Sequence, residues 1–154
     1  MIVRTLTAAD AEPVAALIRT AFAALSAPVD PPPSALRETA ENVARLIENG
    51  GGAGADIDGT LAGAILWQDK PTGLYAGRLS VSPAHRGHGI AKALIAAAEA
   101  AARARGHRTL LLSTRLAFTD NRRLFASLGF IEVAEHAHAG YAHNTFVDLE
   151  KPLA

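Results

Sequence analysis

An arginine and two glycines, placed between a strand-like run and a long helix-like run, have the types and spacing of an anion site. The stretch reads Arg78-Leu79-Ser80-Val81-Ser82-Pro83-Ala84-His85-Arg86-Gly87-His88-Gly89-Ile90-Ala91. Pro83 closes the strand, and the loop holding Gly87 and Gly89 leads directly into the longest helix of the chain. The first N–H groups of a helix have no internal partner, and the helix dipole adds about half a positive charge there. Glycine at 87 and 89 lets a phosphate approach the main chain with no Cβ in the way. Arg86 adds a forked cation suited to phosphate oxygens. The spacing matches neither common phosphate loop. G-x-x-x-x-G-K-[ST] does not occur, and Gly87-x-Gly89 has Lys92 where G-x-G-x-x-G requires its third glycine. The glycine pair alone fits equally a strand-to-helix turn with no ligand.

The surrounding residues carry more. Val81-x-Pro83 followed by Arg86-Gly87-x-Gly89-Ile90-Ala91 resembles the acyl-CoA-binding signature, R/Q-x-x-G-x-G/A, of the GNAT superfamily of N-acetyltransferases. Leu124-Phe125-x-x-Leu128-Gly129-Phe130 resembles that family's second signature, a helix ending in L-G-F. The two occur in the family's order, and the resemblance covers nearly the whole chain. It implies acetyl-CoA as cosubstrate with no metal. The backbone of Leu79, Ser80 and Val81 would pair with the pantetheine arm like an added strand. N–H groups of Arg86, Gly87, His88, Gly89, Ile90 and Ala91 would cradle the pyrophosphate. A β-bulge near Ser80 would splay this strand from its neighbour at Thr109–Thr114 and open a slot for the thioester. A primary amine of a small molecule or peptide would attack directly in a ternary complex, with the oxyanion held by a backbone N–H near Val81. Homodimerisation is a habit of the family and an expectation here.

The chain departs from the family pattern twice. Phe125 stands where a tyrosine often serves to protonate the departing thiolate, although it remains a contact expected for the cofactor. The family's frequent asparagine aligns with Phe118, whereas this chain has Asn121 three residues later. Asn121 either reaches the CoA arm or is simply a polar helix-start residue. A thiol titrates near about 8.5, so its thiolate leaves at neutral pH at a cost of about 1.36 kcal/mol per pKa unit. An alkyl ammonium near about 10.4 must lose a proton before it attacks, so a base matters more than an acid. His138, Tyr141 and His143, clustered with His136 between the last two strands, are the candidates. His136 and His138 are expected on one face of a strand by period two. Loop histidines without a role fit the same spacing, and a metal reading lacks carboxylate or cysteine support. His85 and His88 read as solvent-facing, and Trp67 as core. Arg103/Arg105 and Arg122/Arg123 read as helix-surface charges, one of which could meet the 3′-phosphate of CoA. Asp30, Glu38 and Glu41 either attract a cationic amine or are merely solvated. Phe125 also keeps open a non-catalytic acyl-CoA-binding or sensing module, and the histidines a metal-binding protein.

These residues need a scaffold, and the pattern supplies one. Ile2–Leu6 reads as a strand, and Thr7 with Asp10 opens a helix to about Leu25. Ala27–Pro33 must be an extended loop, after which Ser34 is expected to cap a second helix to about Glu48. Asn49–Gly52 stops it. Ala53–Ile57 and Leu61–Gln68 read as a hairpin about Asp58-Gly59, and Leu74–Ser82 as the next strand. The long helix Ile90–Arg105, a buried-type strand Thr109–Thr114, a short helix to Leu128, and strands Phe130–Val133 and Thr145–Leu149 follow. The expected class is α+β with a mixed sheet: a GNAT-like acyl-CoA N-acyltransferase fold, mostly antiparallel, of about seven strands and about four helices. It is read as a single domain over 1–154.

Composition removes several classes. The charge balance, 15 Lys+Arg against 15 Asp+Glu, excludes a dedicated nucleic-acid binder. The absence of cysteine excludes disulfide frameworks and thiol nucleophiles and suits a reducing cytoplasm. No run approaches a membrane span, and the start lacks an apolar segment of signal-peptide type. The expectation is a cytoplasmic enzyme bound to neither membrane nor nucleic acid.

Overall fold

The structure, a computed structural model, describes residues 1–25 and 27–154. Among them seven strands form one sheet: β1 (Ile2–Thr5), β2 (Gly51–Ile57), β3 (Thr60–Lys70), β4 (Gly73–Val81), β5 (Thr109–Arg115), β6 (Ile131–His136) and β7 (Phe146–Pro152). Their order is β1-β2-β3-β4-β5-β7-β6, and only β4 and β5 run parallel. Four α-helices, α1 (Ala11–Ala23), α2 (Ala40–Asn49), α3 (Ile90–Ala104) and α4 (Thr119–Ser127), flank it. This is the expected mixed, mostly antiparallel architecture. No helix among the described residues is long and apolar enough to cross a membrane.

The apolar alternation of β3 explains why it sits centrally. Ile65 and Trp67 point into a core shared with Leu94, Ile95 and Ala98 of α3. Ala64 and Leu66 point into a second core with Val14 and Ile18 of α1 and Val43 of α2. Trp67 is therefore core, as expected. Small residues set how closely α3 approaches. A Cβ on Gly63 would lie 2.4 Å from Ile90 Cγ2, so glycine there lets the first turn of α3 rest on the sheet. The N-terminus of α3 is thus fixed by close packing.

Two local expectations need correction. Ser34 opens only a 3₁₀ turn, Ser34–Arg37, and the backbone at Glu38 is extended (φ −61°, ψ 144°). α2 starts after Thr39, whose Oγ1 accepts the Asn42 N–H at 3.1 Å. The physical reason is that Glu38 turns inward to meet Arg78, which interrupts the helix. The strand expected to carry both His136 and His138 ends at His136, leaving His138 in the β6–β7 connection. Both rings still pack against Phe146, with centroids 5.2 and 4.8 Å away.

Candidate functional site

β4 and β5 pair only at Leu74↔Leu110 and Tyr75↔Leu111, and then diverge. The cause is a bulge in β4. Ala64 of β3 pairs with Ser80 and Leu66 with Gly77, so Arg78 and Leu79 face the single residue Ile65. Arg78 takes the left-handed conformation (φ +55°), which costs a side-chain-bearing residue about 1–2 kcal/mol. A polar clamp holds it there. Arg78 Nε donates to Glu38 Oε2 at 2.9 Å, and Nη2 donates to Ser34 Oγ at 3.0 Å. Glu38 Oε1 accepts from Asn42 Nδ2 (2.7 Å) and the Thr39 N–H (3.1 Å). The Glu38 side chain is only 2% exposed. Burial alone would raise its pKa, but the donors from Asn42, Thr39 and Arg78 outweigh this and hold it below the usual carboxylate range.

The divergence leaves a cavity of about 840 Å³ between the strands. Ser82 N–H donates to Ala62 O at 2.8 Å, and Ser80 also pairs with β3. By antiparallel alternation, the main chain of Val81 between them faces away from β3 and toward the gap.

At one end of the cavity the polar surface is main chain. Gly87 (φ +80°) and Gly89 (φ +76°) are both left-handed, and no atom lies within 4 Å of where their Cβ atoms would be. Gly89 is the N-cap of α3 and offers no side-chain cap, so the first-turn N–H groups open into this cradle. These features fit a diphosphate. Leu79, Val81, Arg86, Gly87, Gly89, Ile90, Ala91, Asn121 and Phe125, all expected at the cofactor, line the cavity.

Ser80 and His88, expected to contribute main-chain groups only, are not in the lining. Ser80 is buried and donates Oγ–H to the Arg78 carbonyl at 3.0 Å. His88 is exposed and folds its Nδ1 back to within 2.8 Å of the His85 carbonyl oxygen. His85, expected to be solvent-facing, lines the cavity, and its buried Nδ1 has no partner among the described residues. Lys92 also lines the cavity and was not anticipated as a contact. Its signal was available, since a cation in a helix's first turn opposes the dipole unless an anion sits nearby. The arginine pairs proposed for the 3′-phosphate lie outside the lining. Arg105 is bound to Asp69 (2.8 Å) at the far end of α3, and Arg122 to Glu132 (2.8 Å). On α4, Phe125 is 4% exposed and meets Phe130 edge-on at 5.9 Å.

The other end of the cavity is built from side chains of separate segments. Phe22, Leu25, Arg115, His138 and Phe146 are among its lining. His138 Nδ1 is hydrogen-bonded to Thr145 Oγ1, which also accepts the His138 N–H at 3.0 Å. Burial, with the Arg115 charge adding to it, lowers the His138 pKa and so favours the neutral ring. Tyr141 and His143, grouped with it from the sequence, lie outside the lining. The Tyr141 hydroxyl donates to Asp30 Oδ1 at 2.7 Å, and that bond raises its pKa above the ordinary value. His143 is exposed, its ring 6.0 Å from that of Tyr141. His136 Nε2 lies 2.7 Å from Asp148 Oδ2, away from the cavity. The carboxylates expected to draw a cationic amine are absent from this wall. Glu38 holds Arg78, Glu41 pairs with Arg45 at 3.0 Å, and Asp30 accepts from Tyr141. Among the described residues no three His, Asp or Glu are placed to hold a metal.

The sequence model of the acetyltransferase (GNAT) family matches residues 16–130. N-acetyltransferase 8 of Rattus norvegicus is 41% identical over 86 residues, which is 54% of this chain and 38% of that protein. The chain therefore spans well under half of this relative's length. Among solved structures, the GCN5-related N-acetyltransferase (aminotransferase, class II) of Rhodopseudomonas palustris superposes with a TM-score of 0.81 at 18% identity, over 99% of this chain and 95% of that one. The PaiA N-acetyltransferase of Thermoplasma acidophilum, solved in complex with coenzyme A, gives 0.78 at 19% identity over 99% of both chains. At such identities the structures show a shared fold.

Proposed function

The chain belongs to the acetyltransferase (GNAT) family, and from that premise we propose that it moves an acetyl group from acetyl-CoA to a primary amine of a small molecule or peptide, by direct attack in a ternary complex. The observation that carries this reading is the uncapped N-terminus of α3 opening into the gap between β4 and β5. Both halves of a CoA thioester have a matching surface there. The N–H groups from Gly87 to Ala91, with Arg86 and Lys92, meet a diphosphate. The free edge of β4 at Leu79 and Val81 meets an amide-bearing arm.

Bound acetyl-CoA supplies a thioester carbonyl open to attack by an amine. The N–H of Val81 faces the gap and donates to the carbonyl oxygen as negative charge develops on it. His138 holds a neutral imidazole at the acceptor end, so with Nδ1–H given to Thr145, its Nε2 accepts the ammonium proton. Phe125 offers no proton, and solvent takes the acid's role because a thiolate is a tolerable leaving group at neutral pH.

Calorimetry with acetyl-CoA, paired with a thiol-release assay across amines, amino acids, aminoglycosides and peptide N-termini, tests this. Binding with turnover is expected, and no binding at millimolar ligand sinks the proposal. Binding without turnover would favour a non-catalytic acyl-CoA sensor, the reading that Phe125 motivates.

A further inference from the structure

Arg115, the last residue of β5, was not singled out by any motif. It is half-buried in the acceptor wall of the cavity and forms no ion pair among the described residues. Its Nη1 donates to the Pro31 carbonyl at 2.6 Å, which fixes the plane of the guanidinium. The remaining N–H groups of the fork have no partner among the described residues. The other arginine on this wall, Arg78, is neutralised by Glu38. Asp120 is the only carboxylate among the described residues lining the whole cavity. It lies in the first turn of α4, 3.6 Å from Arg123. Phe22, Leu25 and Phe146 supply the apolar remainder of the acceptor end.

We infer that the acceptor is an amine that also bears a carboxylate and an apolar body, with Arg115 as the residue that receives the carboxylate. The inference rests on the acetyl-transfer reading and narrows it. A forked, orientation-fixed guanidinium in a partly desolvated wall matches a carboxylate in both charge and shape. Burial pushes the Arg115 pKa down and the Asp30 charge offsets this only in part, so an arriving anion completes the neutralisation. A polycationic amine finds the opposite. Its further ammonium groups would enter a wall that presents Arg115, while the neighbouring carboxylate, Asp30, lies outside the lining and accepts from Tyr141. The amine itself needs only a neutral base, which His138 provides beside Phe146.

The test uses the full chain with acetyl-CoA and three acceptors: phenylalanine, phenethylamine (the same body without the carboxylate) and spermidine. Phenylalanine is expected to exceed phenethylamine by about 10- to 100-fold in kcat/KM, the range of a charge-assisted hydrogen-bonded contact. Spermidine is expected to be poorest. Arg115→Gln should bring the phenylalanine-to-phenethylamine ratio close to one, chiefly through KM, while Arg115→Lys should keep part of it as a point charge. A second arm needs no turnover. With CoA present, calorimetry should show N-acetylphenylalanine binding more tightly than N-acetylphenethylamine, and Arg115→Gln should remove the difference. Equal rates and affinities for the paired compounds, or a loss in Arg115→Gln that is the same for both, would overturn the inference. Acetyl-CoA binding measured on the same samples separates the two levels. Its absence strikes the acetyltransferase reading, whereas its presence without carboxylate preference strikes only the acceptor class.

Discussion

At the α3 end of the cavity the polar surface is main chain held by packing, whereas at the Arg115–His138 end it is side chains brought together from α1, β5 and the β6–β7 connection. The first end is built from about six consecutive residues whose geometry follows from two left-handed glycines and a helix start. The second depends on three segments tied across one another by Tyr141–Asp30 and Arg115–Pro31 hydrogen bonds. Main-chain N–H groups are identical whatever the sequence, so they suit a ligand that never changes. Side chains carry individual charge and shape, so they suit the partner that must be selected. Between the two ends lies the bulge clamped by Glu38, which sets how far β4 and β5 stand apart.

Substitutions that strike one end alone test this division. The largest effect belongs to Gly89→Val. Space is available at that position, but a β-branched residue at φ +76° is strained and its side chain fills the cradle. Acetyl-CoA binding should vanish from calorimetry at millimolar ligand, and an unchanged affinity would move the pyrophosphate elsewhere. His138→Gln strikes the opposite end. It should lower kcat by about 10²- to 10⁴-fold, the usual worth of a general base, with little change in acetyl-CoA affinity. The wild-type kcat should fall with acid through a midpoint below His's ordinary value of about 6.5, because burial and Arg115 disfavour the imidazolium. That acid limb should be missing in the variant.

Glu38→Ala addresses the clamp. Removing one member of a buried ion pair should lower unfolding free energy by about 3 kcal/mol, measured by urea denaturation, with Glu38→Gln losing less. Glu38 has a folded pKa below its unfolded one, so its contribution is complete above the unfolded value of about 4.3 and disappears as pH falls through the lower folded value. The stability gap between wild type and Glu38→Gln should therefore close in strong acid. Phe125→Tyr should do least, changing kcat by no more than about 30-fold, since the thiolate's pKa lies only about 1.5 units above neutral. A larger gain would show that proton donation to sulfur limits the rate.

The main-chain end was legible because its chemistry is local. Pro83, Gly87 and Gly89 announce a strand stop, an open turn and a helix start with no help from distant residues. The β-bulge was expected near Ser80, and its extra residue lies at Arg78–Leu79 beside it. The acceptor end was only half legible. The histidine cluster drew attention to the β6–β7 connection, yet only His138 of its three candidate catalytic residues lines the cavity. Arg115 looked like an ordinary strand terminus, because nothing local distinguishes an unpaired arginine from a solvated one. Glu38 and Asp30 looked available for a cationic substrate because their partners, Arg78 and Tyr141, lie 40 and 111 residues away.

The sequence by itself determined the element order, the glycine turn that opens α3 and, through Gly63, how closely α3 approaches the sheet. These follow from short-range sterics and hydrogen-bonding needs that each few residues carry with them. Only the tertiary structure decided which charges are already spent and which still face the cavity. An ion pair is a property of two side chains in space, and pairing turned Glu38 and Arg78 into scaffold while leaving Arg115 open.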